Sequence, residues 1–238
     1  MLQLPGHFPE WPGDSHAGAA PPIRSGFPLS RRALIATGAA ATLAWPAMLA
    51  WPGPARAALS PAVSVAGAFP NLAFTMQRSS DGKNVTAADF HGKVVILYFG
   101  FTRCPDICPL TMQNAARILH GMGPLASRMR VLFVTIDLDY DTLSRLKTYL
   151  AGFGAPPEID GLRGTPAELA RLAHRYAVEY KAPTSPDAPD PVSKIGHSSA
   201  VYLFDARGHA EQILSTMSTA DADIPALTDD LKPFARRA

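Results

Sequence analysis

The segment KVVILYFGFTRCPDICPLTM, Lys93 to Met112, runs from β-branched and aromatic residues into a turn that carries both cysteines of the chain, Cys104 and Cys108. The continuous apolar run from Lys93 to Gly100 predicts a strand buried on both faces. Apolar residues then recur at helical spacing through LTMQNAARILHGM, and Gly121 and Gly123 are expected to stop that helix. A strand, a turn and a helix in this order put the cysteines at a helix N-terminus. There the exposed N–H groups and the macrodipole favour negative charge, so a lowered thiol pKa is expected. At this spacing the two sulfurs face the same side. From that position they can converge on one ion, exchange with a disulfide or close a disulfide of their own.

Outward from this segment the chain alternates strand-like and helix-like stretches with short turns, an α/β pattern. Asp81-Gly82 between two extended runs predicts a hairpin. RVLFVTID, Arg130 to Asp137, reads as a second buried strand. DTLSRLKTYLAGFG reads as a helix capped by Asp141 and ending near Gly152. EIDGLRG is a short extended piece. Thr165, Pro166 and Glu168 form a capping-box start for the next helix. KAPTSPDAPDPVSKIG has no hydrophobic period and reads as a surface loop. SSAVYLFDARGHAEQIL reads as two strands joined at Ala206-Arg207-Gly208, and DIPALTDDLKPFARR as the last helix. This order predicts a thioredoxin-like sheet, a central mixed sheet flanked by helices, with an N-terminal hairpin extension.

The composition fits a globular domain plus a tail: 238 residues, 47% hydrophobic and 18% charged. The first 57 residues hold four of the 22 basic and two of the 20 acidic side chains, which leaves the remainder neutral. Nucleic acid is therefore not an expected partner. Ser30-Arg31-Arg32, an uncharged stretch from Ala33 to Ala55, and Ala55-Arg56-Ala57 as a signal-peptidase site resemble a twin-arginine export signal. The expected organisation is an export signal and disordered leader over 1–57, a linker over 58–68 and a folded domain over 69–238. Cleaved, the signal releases the domain outside the cytoplasm, in a periplasm-like compartment; retained, it anchors the domain to the inner membrane.

Two thiolates are an incomplete site for most metals. Soft sulfur selects Cu(I), and a neutral imidazole would complete a three-coordinate site that also serves Cu(II). A closed zinc site wants four protein ligands, and there is no third cysteine. His7 and His16 lie in the leader, and His91, His120, His174 and His209 read as ordinary surface or core residues. His197 differs, because it joins the proline-rich loop to the buried strand SSAVYLFD, near the cysteine turn in a thioredoxin-like sheet. Asp106 reads as a helix-start carboxylate, and Met112 and Met122 as core residues. A staple between such near neighbours would close too short a loop to restrict the unfolded chain much.

The stretch Phe99 to Pro109, with Cys-Pro-Asp-Ile-Cys-Pro, and His197-Ser198 ahead of an apolar strand resemble the Sco/SenC family of thioredoxin-fold copper proteins, over about Phe69 to Ala235. The resemblance implies an extracytoplasmic metallochaperone. It would hold one copper ion, as Cu(I) or Cu(II), through Cys104, Cys108 and His197. It would take the ion from a copper donor and deliver it to the binuclear copper centre of cytochrome c oxidase subunit II or to another cuproprotein. The alternative is a thiol-disulfide oxidoreductase that reduces client cysteines before metallation, with Cys104 and Cys108 as its catalytic pair. The chain departs from the family at Asp137-Leu138-Asp139-Tyr140-Asp141-Thr142, where relatives tend to read Asp-Pro-x-Arg-Asp-Thr, and at Gly196, where relatives often have Asp.

Overall fold

The computed structural model describes residues 62–154, 157–181 and 196–238, all within one compact unit, Pro54–Ala238. The leader over 1–57 and the proline-rich loop over 182–195 lie outside the described residues. In chain order the elements are β1 (Val63–Ser64), β2 (Thr75–Arg78), β3 (Asn84–Thr86), β4 (Val94–Gly100), α1 (Ile107–Met122), β5 (Met129–Thr135) and α2 (Leu143–Ala151). They continue as β6 (Ile159–Arg163), α3 (Pro166–Arg175), β7 (Tyr180–Lys181), β8 (Gly196–His197), β9 (Val201–Phe204), β10 (Ala210–Ile213) and α4 (Ile224–Arg237).

Among the described residues, eight strands form one mixed sheet in the order β1-β10-β9-β4-β5-β6-β2-β3, and β7 pairs with β8 apart from it. All seven residues of β4 are buried, as its unbroken apolar run requires. It pairs parallel with β5 and antiparallel with β9. A parallel neighbour needs a crossover, and α1 supplies it. α1 packs on α4, and α2 on β6. Met112 and Met122 are buried on α1, in the core role expected of them.

The hairpin at Asp81-Gly82 forms from β2 and β3, with Gly82 at φ +72°, and lies at one sheet edge. The capping box at Thr165 forms as predicted, with Glu168 accepting from the Thr165 N–H and hydroxyl. Four expectations need correction. Gly121 does not stop α1; the helix runs to Met122 and ends at Gly123, φ +54°. Gly121 instead allows close packing, since a Cβ there would lie 3.2 Å from Thr228 on α4. β5 begins at Met129 and ends at Thr135, one residue early and two short. Within the expected linker, β1 pairs with β10, so the sheet starts ahead of Phe69. Finally, Thr142 and not Asp141 caps α2, accepting from the Arg145 N–H at 3.2 Å.

Candidate metal centre

β4 ends at Gly100, and the chain turns before α1 begins at Ile107 with exposed Asp106 at its N-cap position. Cys104 therefore lies in the turn, partly exposed, and Cys108 in the first helical turn, buried. Both are thiols; no disulfide joins them in this structure. The Cys108 N–H donates to Cys104 Sγ at 3.4 Å, so the orphan donors of the helix start do meet a sulfur. Cys108 Sγ accepts the Tyr98 hydroxyl at 3.4 Å and the Phe101 N–H, and the Cys104 side chain bonds to it as well. A Cβ on Gly100 would lie 2.9 Å from Cys108 Sγ and 2.7 Å from Phe133 Cε2. Glycine at the strand end is what lets the sulfur sit against the backbone.

The expected lowering of the thiol pKa does not hold for Cys108. Its hydrogen bond with Cys104 pushes it well above the ordinary value, and burial adds to the rise. The Tyr98 and Phe101 donors act in the opposite direction and are outweighed. The partial charge at a helix end is worth about 0.3–1 kcal/mol at an exposed site. Removing a thiolate from water costs more than that, and the sequence gives no local sign of how deep the second cysteine will sit.

β8 places the His197 backbone opposite Tyr180 of β7. The following residues are tied to the cysteine platform. The Ser199 carbonyl accepts the Ser218 hydroxyl at 3.1 Å, and Ser218 Oγ lies 3.0 Å from Thr111 Oγ1 on α1. Val201 pairs with Tyr98 across β9 and β4. The two cysteines are thus brought together, and the His197 backbone leads into the strand beside them. Among the described residues no three His, Cys, Asp or Glu groups form a metal-ligating cluster. His91, His120 and His174 are exposed and His209 is half-buried beside Asp205.

Sequence reasoning missed the carboxylates behind the turn. Arg103 Nε and Nη2 donate to buried Asp137 Oδ2 at 3.0 and 2.6 Å. Arg103 and Arg145 both stack on Tyr140, 4.2 and 4.0 Å from its ring centre. Asp141, expected as a helix cap, is instead buried. It accepts from the Thr102 N–H at 3.0 Å, the Thr135 hydroxyl at 2.6 Å and the Thr102 hydroxyl. The stretch that departs from the family pattern therefore braces the cysteine turn from behind. The signal available in the sequence was Thr102-Arg103, two polar residues directly before Cys104.

A mixed sheet with two thiols at the start of the helix that follows its central strand defines a thioredoxin-like domain suited to disulfide exchange or to soft-metal binding. The family is narrower than that class. The family model described as SCO1/SenC matches residues 71–232, and the chain belongs to that family. "Protein SCO2 homolog, mitochondrial" of Bos taurus is 34% identical over 123 residues, covering 51% of this chain and 45% of that protein. "SCO2-like protein" of Rickettsia felis is 34% identical over 128 residues, covering 54% and 61%. The chain thus spans about half the length of the curated relatives it matches. Among solved structures, Bradyrhizobium japonicum ScoI with copper bound aligns at a TM-score of 0.59 and 30% identity, covering 69% of this chain and 98% of that one. Yeast Sco1 with copper bound aligns at 0.58 and 29%, covering 68% and 90%.

Proposed function

We propose that this chain is a copper metallochaperone: Cys104, Cys108 and His197 hold one copper ion and pass it to an acceptor protein by exchange of ligands. The observation that carries this reading is the meeting of two sulfurs, one partly exposed and one buried, at the start of α1. Membership of the SCO1/SenC family supports it, as does likeness to two relatives solved with copper bound. Soft thiolates suit Cu(I), and an imidazole would complete the site. Binding must displace the proton that burial and Cys104 keep on Cys108. Cys104, the sulfur within reach of solvent, is the natural first ligand.

The acceptor in this reading is subunit II of cytochrome c oxidase or another cuproprotein. The site of action is outside the cytoplasm, an inference supported by Arg31-Arg32 and Ala55-Arg56-Ala57. An uncleaved leader would tether the domain to the inner membrane. Among the described residues, no helix is long and apolar enough to cross a membrane. The test is titration of the fully reduced protein with Cu(I) against a competing chelator, alongside Cys104→Ser, Cys108→Ser and His197→Ala. One copper per chain and weakened binding in all three variants is the expected result. Parent-like binding in all three would sink the reading.

The contact between the two sulfurs favours a second use, thiol-disulfide exchange with client cysteines, Cys104 attacking and Cys108 resolving. His197→Ala separates the two: it should spare exchange while weakening copper binding.

A further inference from the structure

Tyr98 is fully buried at the middle of β4, between Phe133 on β5 and Val201 on β9. Nothing about filling that space calls for a hydroxyl. Phe99, Phe133 and Phe204 occupy the same core at full burial without one. A buried hydroxyl costs free energy unless it is bonded, and this one lies 3.4 Å from Cys108 Sγ, with the Thr111 side chain also in reach. Its partner is one of the two residues that carry the chemistry.

A donor aimed at sulfur distinguishes the states of that sulfur. In the metal-free reduced pair Cys108 is a thiol hydrogen-bonded to Cys104, and a hydroxyl donating to its sulfur strengthens that bond. A metal-bound thiolate accepts more strongly still, whereas a disulfide sulfur has no proton to give and accepts weakly. The geometry points to Tyr98 as a positioning residue of the cysteine pair: its hydroxyl donates to Cys108 Sγ, favours the reduced pair over the Cys104–Cys108 disulfide, and weakens electron donation from that sulfur to bound copper. The last of these rests on the copper reading above; the first two do not.

The test uses the full chain and Tyr98→Phe, which keeps the ring and removes the donor. The metal-free protein is equilibrated with reduced and oxidised glutathione. Disulfide formation joins the two cysteine sulfurs, breaks one glutathione disulfide and moves two electrons and two protons onto two glutathiones. Tyr98→Phe should raise the equilibrium constant for disulfide formation by about three- to tenfold, as expected for loss of one such hydrogen bond. Tyr202→Phe is the control. Its hydroxyl donates to the Tyr176 carbonyl at 2.7 Å in the same core, without touching sulfur. It should lower stability and leave the equilibrium in place. Fluorotyrosine at position 98, a stronger donor, should move the equilibrium the other way, and it keeps the test available should Tyr98→Phe fold poorly.

With Cu(II) added, the sulfur-to-copper charge-transfer band should move to longer wavelength in Tyr98→Phe and stay fixed in Tyr202→Phe. Absence of that band in the parent would count against the copper reading and leave the glutathione result standing for Tyr98. An equilibrium unchanged within about twofold in Tyr98→Phe, or moved equally by Tyr202→Phe, overturns the role given to Tyr98.

Discussion

Arg103 meets Asp137 with two nitrogens on one oxygen, and the other oxygen of that carboxylate, Oδ1, is buried with no hydrogen-bond partner among the described residues. Arg103 sits immediately before Cys104 and Asp137 two residues past the end of β5, so the pair ties the cysteine turn to the second central strand. Truncating Arg103 would leave a carboxylate buried without its counter-charge. Arg103→Met should therefore destabilise the protein by about 3–5 kcal/mol, and Arg103→Met with Asp137→Leu by much less, because the double variant leaves no orphan charge. Urea unfolding of both single variants and the double variant measures the difference.

Gly100 carries a steric prediction. Alanine there would press on Phe133 and Cys108 Sγ at distances that ordinary Cβ atoms do not reach. Gly100→Ala should cost about 1–3 kcal/mol, the usual range for an overfilled core. Phe133→Leu in the same chain should restore part of the loss, because it vacates one of the two contacts. Thermal melts of the two singles and the double decide it.

Two carboxylates give opposite slopes of stability against pH. Hydrogen bonds from Thr165, first its N–H and then its hydroxyl, hold Glu168 below the usual range. Its stabilising contribution is present above the unfolded value of about 4.3 and is lost as pH falls through the lower folded value. Asp141 is pushed up by burial, against the Thr102 and Thr135 donors that pull it down. Its contribution is full below the unfolded value of about 3.9 and is lost as pH rises through the folded value. Glu168→Gln should accordingly flatten the acid loss of stability. Asp141→Asn should remove a decline on the rising side. Urea midpoints across the acid range read both.

The two sulfurs differ in access. Iodoacetamide should label Cys104 well before Cys108 in the native, reduced protein and label both at similar rates in denaturant. Peptide mass spectrometry reads the order, and equal native rates would contradict the burial of Cys108.

The parts of this structure that read directly from the sequence are those in which neighbouring residues agree. The unbroken apolar run of β4, the Asp81-Gly82 hairpin and the Thr165–Glu168 capping box each carry their reason within a few positions. The cysteine turn was legible as a site because its two sulfurs and its helix start are contiguous. Asp141 misled because Asp and Thr are both good caps, and the choice between Asp141 and Thr142 is made by Thr102 in the cysteine turn and Thr135 at the end of β5. Cys108 misled in the same way: a helix start favours a thiolate locally, but its depth is set by Tyr98, Gly100 and Cys104 together. β1, β7 and β8 are two residues each, too short to leave a periodic signal.

The small ladder between β7 and β8 fastens Lys181 to Gly196 and Tyr180 to His197. The ladder joins the described residues on either side of 182–195, so the His197 backbone is held by its partner strand. Loop closure grows only slowly with length, and doubling the stretch would cost about 0.6 kcal/mol. Residues inserted between Lys181 and Gly196 should therefore leave the pairing of the His197 backbone with Tyr180 in place.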